Sequence, residues 1–181
     1  MNKKIKNFFT STSNQFFFFM LLIVVILRIL FITPVKVEGN SMQPTLNSGN
    51  RAFALKSSSN LSKGDIIIFE YEQKTYVKRI IGTPGDKLVF TNKEIKINDQ
   101  LIKEEYLITY PENTDFLNNK ESIELEVPKK NFFVLGDNRL NSIDSREFGV
   151  ISEDRIIGKI FFAYDFKVFL LLQTLSFRGI V

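Results

Sequence analysis

One apolar run near the N-terminus constrains this chain more than any other feature of its sequence. Residues 16–32 are apolar except for Arg28, and they follow a polar start that carries Lys3, Lys4 and Lys6. The run has the length of a short membrane-spanning helix. Arg28 lies close to its outer end, where the guanidinium can reach the lipid headgroups. The sequence therefore predicts a transmembrane anchor over residues 16–32.

A cleaved signal peptide is the alternative interpretation of this run. It would also have a basic start and an apolar middle, but Thr33-Pro34-Val35-Lys36 follows here instead of a small-x-small cleavage site. Lysines before the run outnumber those just after it, which favours a cytoplasmic N-terminus. We therefore predict a cytoplasmic tail over residues 1–15, an anchor over 16–32 and an extracytoplasmic catalytic domain over 33–181.

Composition excludes several kinds of site. The chain contains no Cys and no His, so disulfides, cysteine-ligated metal centres and a Ser-His-Asp triad are impossible. A serine nucleophile would need Lys, Asp or Glu as its base. The net charge is +4, but acidic and basic residues alternate along the chain without forming a basic stripe. We therefore expect no nucleic-acid partner, and we expect no metal or other cofactor.

Short apolar and alternating runs predict a domain that is mainly β. Beyond residue 32 no helical pattern is long enough for parallel crossover connections, so an antiparallel sheet is expected. Its predicted strands cover 35–37, 51–55, 66–71, 75–81, 131–135 and 156–164. Strands within 87–102 and 123–127 predict a small accessory β subdomain, inserted at about 87–130. The apolar tail from residue 166 either packs on the domain or lies in the membrane interface, and we favour packing.

Three polar stretches stand out between these strands. They are Gly39–Leu46, Tyr76–Asp86 and Gly136–Arg146. Taken singly, Ser41 and Ser142 could be turn or capping residues, and Lys78 could be a lysine that keeps an edge strand soluble. The coincidence of all three stretches in one chain favours a catalytic interpretation.

A serine hydroxyl becomes a useful nucleophile only when a nearby base accepts its proton. Lysine can act as that base only when neutral, so its pKa must fall from about 10.4 towards about 8. Burial lowers a lysine pKa, and Lys78 shares its predicted strand face with Tyr76 and Ile80. Lys78 is therefore the candidate base for Ser41.

Gly39, Asp144 and Arg146 are candidates for supporting roles. Gly39 removes side-chain bulk where a substrate backbone would approach Ser41, although any tight turn has the same need. Asp144 and Arg146 lie close together in a turn and are suited to an ion pair that fastens the loop. We assign this pair a structural role.

With these segments in place, the sequence resembles the type I (leader) signal peptidases, membrane-anchored Ser/Lys proteases that remove signal peptides from exported proteins. Four segments carry the resemblance in the same order. They are Ser-Met-x-Pro-Thr-Leu at 41–46, Asp-Ile-Ile-Ile-Phe at 65–69, Val-Lys-Arg-Ile-Ile-Gly-x-Pro-Gly-Asp at 77–86 and Gly-Asp-Asn-Arg-x-Asn-Ser-x-Asp-Ser-Arg at 136–146.

The resemblance implies a complete set of roles. Ser41 is the implied nucleophile, Lys78 the general base, and Ser142 the residue that hydrogen-bonds Lys78 and orients it. The implied oxyanion hole uses the Ser41 backbone N–H together with the position of Gly39, where some members carry a donating serine. Implied substrates are preproteins with small residues at the first and third positions before the cleaved bond. The implied location is the bacterial cytoplasmic membrane, with the catalytic domain on its outer face, in contact with lipid and near the secretion machinery.

Two other classes of protein remain open at this point. The self-cleaving repressors of the SOS response resemble the Ser/Lys arrangement, but they are soluble and carry an N-terminal DNA-binding domain. A non-enzymatic anchored β domain would bind a partner and would not need Ser41, Lys78 and Ser142 together. Membrane fractionation and labelling by a serine-reactive inhibitor distinguish these alternatives.

Overall fold

A computed structural model describes residues 12–57, 59–91, 94–102, 104, 106–107 and 122–165. Its first element is helix α1 (Thr12–Phe31), which has no buried residue. The helix is long and apolar enough to cross a membrane. It contains the predicted anchor except for Ile32, which begins the first strand. The predicted behaviour of the 166–181 tail lies outside the described residues.

The main sheet is antiparallel throughout the part of the chain that the structure describes. In spatial order its strands are β1 (Ile32–Lys36), β2 (Arg51–Leu55), β11 (Ile156–Tyr164), β3 (Ile66–Tyr71), β4 (Lys74–Gly82), β9 (Asn131–Leu135) and β10 (Ile151–Ser152). The predicted fold class, mainly antiparallel β with one N-terminal apolar helix, is confirmed.

A smaller antiparallel sheet lies within the segment predicted as an accessory insertion. Its strands, in spatial order, are β7 (Gln100–Leu101), β6 (Ile95–Ile97), β5 (Lys87–Thr91) and β8 (Ser122–Glu126). Asn98 and Asp99 form the turn between β6 and β7 with φ angles of 53° and 65°. These left-handed values suit a two-residue hairpin turn.

The two sheets share one apolar core. Leu88 and Phe90 of the small sheet pack with Phe133 and Leu135 of the main sheet, and all four side chains are fully or almost fully buried. The Phe90 and Phe133 rings lie 4.8 Å apart between their centroids. The accessory sheet is therefore held against the strand that leads into the third polar stretch.

A separate small core lies beneath the first polar stretch. Val37, Met42 and Leu46 are buried there, with Val77 of β4 packed against them. These three apolar side chains, spaced four or five residues apart, anchor the Ser41 stretch and its approach, while the residues between them are exposed or half-buried. This packing places Ser41 directly above β4.

Two differences between the observed and the predicted elements lie next to the three polar stretches. The first strand covers Ile32–Lys36 rather than 35–37, because it pairs with β2 over Ile32↔Leu55 to Lys36↔Arg51. The third polar stretch, predicted as a loop, ends in a one-turn helix, α2 (Ser145–Phe148). Asp144 caps this helix by accepting a hydrogen bond from the Arg146 backbone. Strand pairing and capping, rather than local apolar pattern, set these limits.

Candidate active site

Ser41 and Lys78 come together at the centre of the site. Lys78 Nζ lies 2.6 Å from Ser41 Oγ, although the residues belong to different polar stretches. Ser41 lies in the turn after Gly39, and Lys78 lies within β4. Lys78 is only 3% exposed, whereas Ser41 is half-buried. A hydroxyl that substrate can reach therefore contacts an amine that water reaches poorly.

The surroundings of Lys78 favour its neutral form. Burial lowers its pKa to about 8, against the opposing effect of the Asp144 carboxylate. The nearby Arg146 charge lowers the pKa further, and Asp137 raises it. The Tyr76 ring centroid lies 5.9 Å from Lys78 Nζ and forms part of these surroundings. Near pH 8 a large fraction of the amine is therefore neutral and able to accept a proton.

The third polar stretch closes on the backbone of Ser41. Asn138 donates its backbone N–H to the Ser41 carbonyl at 2.9 Å. A Cβ atom added at Gly136 would lie 2.2 Å from Ser142 Oγ and 2.5 Å from the Ser41 carbonyl oxygen. Only glycine permits this approach, which explains the first residue of the Gly-Asp-Asn-Arg segment.

Ser142 lies in the site without the hydrogen bond predicted for it. Its Oγ is buried and has no hydrogen-bond partner within the described part of the chain. The hydroxyl packs against Gly136, and Lys78 Nζ contacts Ser41 Oγ instead. The predicted role of Ser142, to orient Lys78, stays a prediction, because no hydrogen bond between the two side chains is present in this structure.

Asp144 and Arg146 form a buried ion pair, with Arg146 Nε 2.8 Å from Asp144 Oδ1. Asp144 also accepts a hydrogen bond from the Gly136 backbone N–H at 3.0 Å. Arg146 Nη1 donates to the Arg139 carbonyl at 2.7 Å. The pair connects both ends of the third stretch, as expected of residues that fasten a loop.

Two further buried pairs were missed by sequence analysis. Arg79 Nη2 lies 2.6 Å from Asp137 Oδ2, and Arg139 Nη1 lies 2.7 Å from Glu104 Oε2. The sequence could have indicated the first pair, because Arg79 lies in a buried part of β4 and a buried arginine requires a carboxylate partner. None existed for Glu104, which lies in a segment without apolar pattern.

A groove of about 470 Å³ passes over the Ser41–Lys78 contact. It is bounded by the end of β1 and the Ser41 turn on one side, and by the start of β4 on the other. The lining residues are Val35, Lys36, Val37, Glu38, Gly39, Asn40, Ser41, Met42, Thr75, Tyr76, Val77, Lys78, Asn141 and Ile143. Gly39 has φ 84° and open space around its Cα, so this turn itself favours glycine.

The sequence is similar to a family model and to several bacterial proteins. The family model described as "Signal peptidase, peptidase S26" matches residues 10–165. Signal peptidase I U of Bacillus subtilis (strain 168) is 41% identical over 145 residues, which cover 73% of this chain and 75% of the relative. Signal peptidase I of Bacillus caldolyticus is 39% identical over 155 residues, or 79% and 85% of the two chains.

A more distant relative and a solved structure carry the same description. Signal peptidase IB of Staphylococcus aureus (strain COL) is 36% identical over 148 residues, covering 74% of this chain and 78% of the relative. The crystal structure of a signal peptidase I from Enterococcus faecalis V583 matches with a TM-score of 0.49 and 29% identity, over 58% of this chain and 100% of that chain.

The sequence matches assign the chain to the serine-type peptidases. It belongs to the signal peptidase family, peptidase S26. The resemblance drawn from the four sequence segments is therefore confirmed. The relatives are bacterial, and the exposed apolar helix fits a membrane anchor. Membership in this family favours a peptidase over both a self-cleaving repressor and a non-enzymatic β domain.

Proposed function

We propose that the chain is a membrane-anchored serine endopeptidase that cleaves signal peptides from exported preproteins through a Ser41–Lys78 dyad and an acyl-enzyme. The observation that carries the proposal is the 2.6 Å contact between Ser41 Oγ and the buried Lys78 Nζ on the wall of an open groove. No other base is needed, because a lysine with a pKa of about 8 can accept the serine proton.

The proposed reaction has two steps. In acylation, Ser41 Oγ attacks the carbonyl carbon of the cleaved bond while Lys78 accepts the hydroxyl proton and then gives it to the leaving amine. In deacylation, Lys78 accepts a proton from water as the water oxygen bonds to the acyl carbon. Lys78 then gives this proton to Ser41 Oγ as the ester bond breaks, which releases the signal peptide and restores the enzyme. The Ser41 backbone N–H is the proposed main donor to the oxyanion, on the Gly39 side of the groove.

The groove suits a substrate in the extended conformation. β1 is an edge strand of the main sheet, and residues 37–39 continue from it along the groove. On the opposite wall, residues 74–78 of β4 pair with β3, whereas pairing with β9 begins only at Arg79. A peptide strand could therefore pair with backbone on both walls. Alternate side chains of such a strand point the same way, which suits small residues at the first and third positions before the cleaved bond.

The outer face of the main sheet supports contact with a lipid bilayer. Strand pairing aligns Pro34, Phe53 and Phe162 in one row across β1, β2 and β11. Phe162 is 52% exposed, and its ring stacks on that of Phe53 at 6.4 Å. Lys56 Nζ donates to the Ile29 carbonyl at the end of α1, so this face lies beside the anchor. Exposed aromatic side chains beside an apolar helix are typical of a membrane interface.

The proposed topology follows from this arrangement and from the lysines that precede the helix. Residues 1–15 would be cytoplasmic, 16–32 would span the bacterial cytoplasmic membrane, and 33–181 would form the catalytic domain outside it. The accessory insertion would cover about 87–130. Preproteins would reach the groove on the outer face as they leave the secretion machinery.

Substitution of each dyad residue tests the proposal. Full-length protein in detergent carrying Ser41→Ala or Lys78→Ala should lose preprotein cleavage, with losses of about 1000-fold or more. Ser48→Ala and Lys74→Ala are matched controls, because both residues are exposed, one beyond the Ser41 turn and one at the start of β4. Circular dichroism would verify folding of each variant. Near wild-type cleavage by either dyad variant would refute the assignment.

Covalent labelling tests the acyl-enzyme separately. A serine-reactive acylating inhibitor should add its mass to one peptide of the wild-type chain, and that peptide should contain Ser41. The label should be absent from Ser41→Ala and slow in Lys78→Ala. Labelling that persists in Ser41→Ala would identify another nucleophile.

A further inference from the structure

Two buried arginines of the catalytic stretches contact a short segment that follows β7. Arg139 bonds Glu104 with both terminal nitrogens, Nη1 to Oε2 at 2.7 Å and Nη2 to Oε1 at 2.5 Å. Tyr106 donates its hydroxyl hydrogen to the same carboxylate. The Tyr106 ring centroid also lies 4.0 Å from Arg79 Cζ. Buried charge, in addition to apolar packing, therefore connects the accessory segment to the catalytic stretches.

Glu104 is a buried countercharge of Arg139. Glu104 is 8% exposed and Arg139 is 4% exposed. Removal of a carboxylate that forms two hydrogen bonds to a buried guanidinium is strongly unfavourable. Arg139 Nε also donates to the Gly136 carbonyl at 3.0 Å. Without Glu104, we expect the Arg139 side chain to move towards solvent. This movement would break or shift its hydrogen bond to the Gly136 carbonyl.

Arg139 is connected to the nucleophile through the backbone of its own loop. Gly136 lies against the Ser41 carbonyl oxygen, and Asn138 donates its N–H to that oxygen at 2.9 Å. The Arg139 carbonyl accepts a hydrogen bond from Arg146 at 2.7 Å. A shift of Arg139 would therefore disturb several contacts that hold the backbone of Ser41.

The connection bypasses the peptide-binding surface. The groove is lined by neither Glu104 nor Arg139, and Tyr106 is also outside its lining. A change at Glu104 should consequently alter the geometry of the reacting groups more than the binding of the peptide.

We propose that Glu104 is a positioning residue for the cleavage reaction. Its carboxylate fixes Arg139 and thereby holds residues 136–142 against Ser41. The inference rests on the proposed function, and it gives the accessory segment control over the rate of the chemical step. Misplacement of a reacting group by about 1 Å lowers a rate by about 100-fold, so loss of the Glu104 charge should act mainly on kcat.

Kinetics of full-length variants in detergent test this inference. Glu104→Gln, which keeps the shape of the side chain and removes its charge, should lower kcat by about 10-fold to 100-fold and leave KM within about 2-fold. Tyr106→Phe removes only the hydroxyl, and it should lower kcat by about 2-fold to 5-fold. Glu94→Gln is the matched control, because it removes a carboxylate from an exposed ion pair with Lys96 in the accessory sheet. It should leave both constants unchanged.

A double-mutant cycle separates positioning from a merely structural role. Glu104→Gln combined with Arg139→Gln removes both charges, so the combined loss of kcat should be smaller than the product of the two single losses. All rates are measured well below the melting temperature of each variant. A lower melting temperature with unchanged kcat in Glu104→Gln would overturn the inference. If that variant does not fold, an unchanged kcat in Tyr106→Phe overturns it.

The outcome is distinguishable from failure of the proposed function. Loss of cleavage in Ser41→Ala together with wild-type kcat in Glu104→Gln would remove only the positioning role. Continued cleavage by Ser41→Ala would remove the dyad itself.

Discussion

Arg79 and Asp137 form a two-bond ion pair directly behind the candidate dyad. Arg79 Nε lies 2.9 Å from Asp137 Oδ1, and Nη2 lies 2.6 Å from Oδ2. Asp137 accepts a third hydrogen bond from Thr45 Oγ1 at 2.5 Å. Because Arg79 follows Lys78 and Thr45 follows Ser41 along the chain, one carboxylate connects all three polar stretches.

Asp137→Asn should destabilise the whole domain. The side chain of Asp137 is 0% exposed and that of Arg79 is 10% exposed, so the substitution leaves a buried guanidinium without its countercharge. We expect the free energy of unfolding to fall by about 3–5 kcal/mol. Urea unfolding of the detergent-solubilised protein measures this loss. Glu94→Gln, in an exposed pair, serves as the control and should change stability little. Equal stability of Asp137→Asn and the wild type would show that the pair is not structural.

Most strands could be predicted from local pattern. The predicted strands at 51–55, 66–71, 131–135 and 156–164 match the observed bounds, because each is an apolar run between turn residues. The start of β1 could not be predicted in this way, because its pairing partner β2 lies beyond the Ser41 stretch. Local pattern therefore predicts where strands occur, and distant pairing decides where this one begins.

The candidate site could be predicted only in part. The chain has no His or Cys, so few residue types could activate a serine. Ser41 and Lys78 could therefore be proposed from the three polar stretches and from the predicted strand around Lys78. Contacts between distant buried charges, such as Glu104 with Arg139, leave no local signature and required coordinates. The Ser142–Lys78 hydrogen bond, expected from resemblance, stays a prediction, and Ser142 Oγ lies against Gly136 in this structure.

Lys78→Met should stabilise the folded protein at neutral pH. Burial lowers the Lys78 pKa from 10.5 to about 8, so the folded state binds this proton less well than the unfolded state does. The native state is therefore penalised below pH 8, by on the order of 3 kcal/mol, and the penalty disappears as pH rises from about 8 to about 10.5. Met retains the unbranched stem without the charge.

Unfolding measured across pH tests this prediction. The stability advantage of Lys78→Met over the wild type should be largest below pH 8 and should shrink steadily towards pH 10.5. Lys74→Met, at an exposed position of the same strand, is the control for the loss of a lysine charge. An advantage that is independent of pH would mean that Lys78 is not an unfavourably buried amine.

The kcat/KM of the wild type should rise with pH and level off above about pH 8. The proposed base must be neutral to accept the Ser41 proton, and burial lowers the Lys78 pKa to about 8. Below that value kcat/KM should fall about 10-fold per pH unit, because the neutral fraction of one group falls in that proportion. Cleavage of a signal-peptide substrate, measured with folding checked at each pH, gives the profile. A flat profile from pH 6 to pH 9 would contradict Lys78 as the base.

Gly39→Ser and Gly39→Ala, compared with each other, test the oxyanion hole. Both substitutions place a Cβ at φ 84°, where there is open space but the backbone conformation is unfavourable for any residue except glycine. The strain, about 1–3 kcal/mol, should be similar in the two variants, so they differ mainly in one hydroxyl. If position 39 faces the oxyanion, Gly39→Ser should have a kcat at least about 10-fold above that of Gly39→Ala, because an added donor stabilises the developing charge. Equal kcat values would place the second donor elsewhere and leave the Ser41 backbone N–H as the donor on this side of the groove.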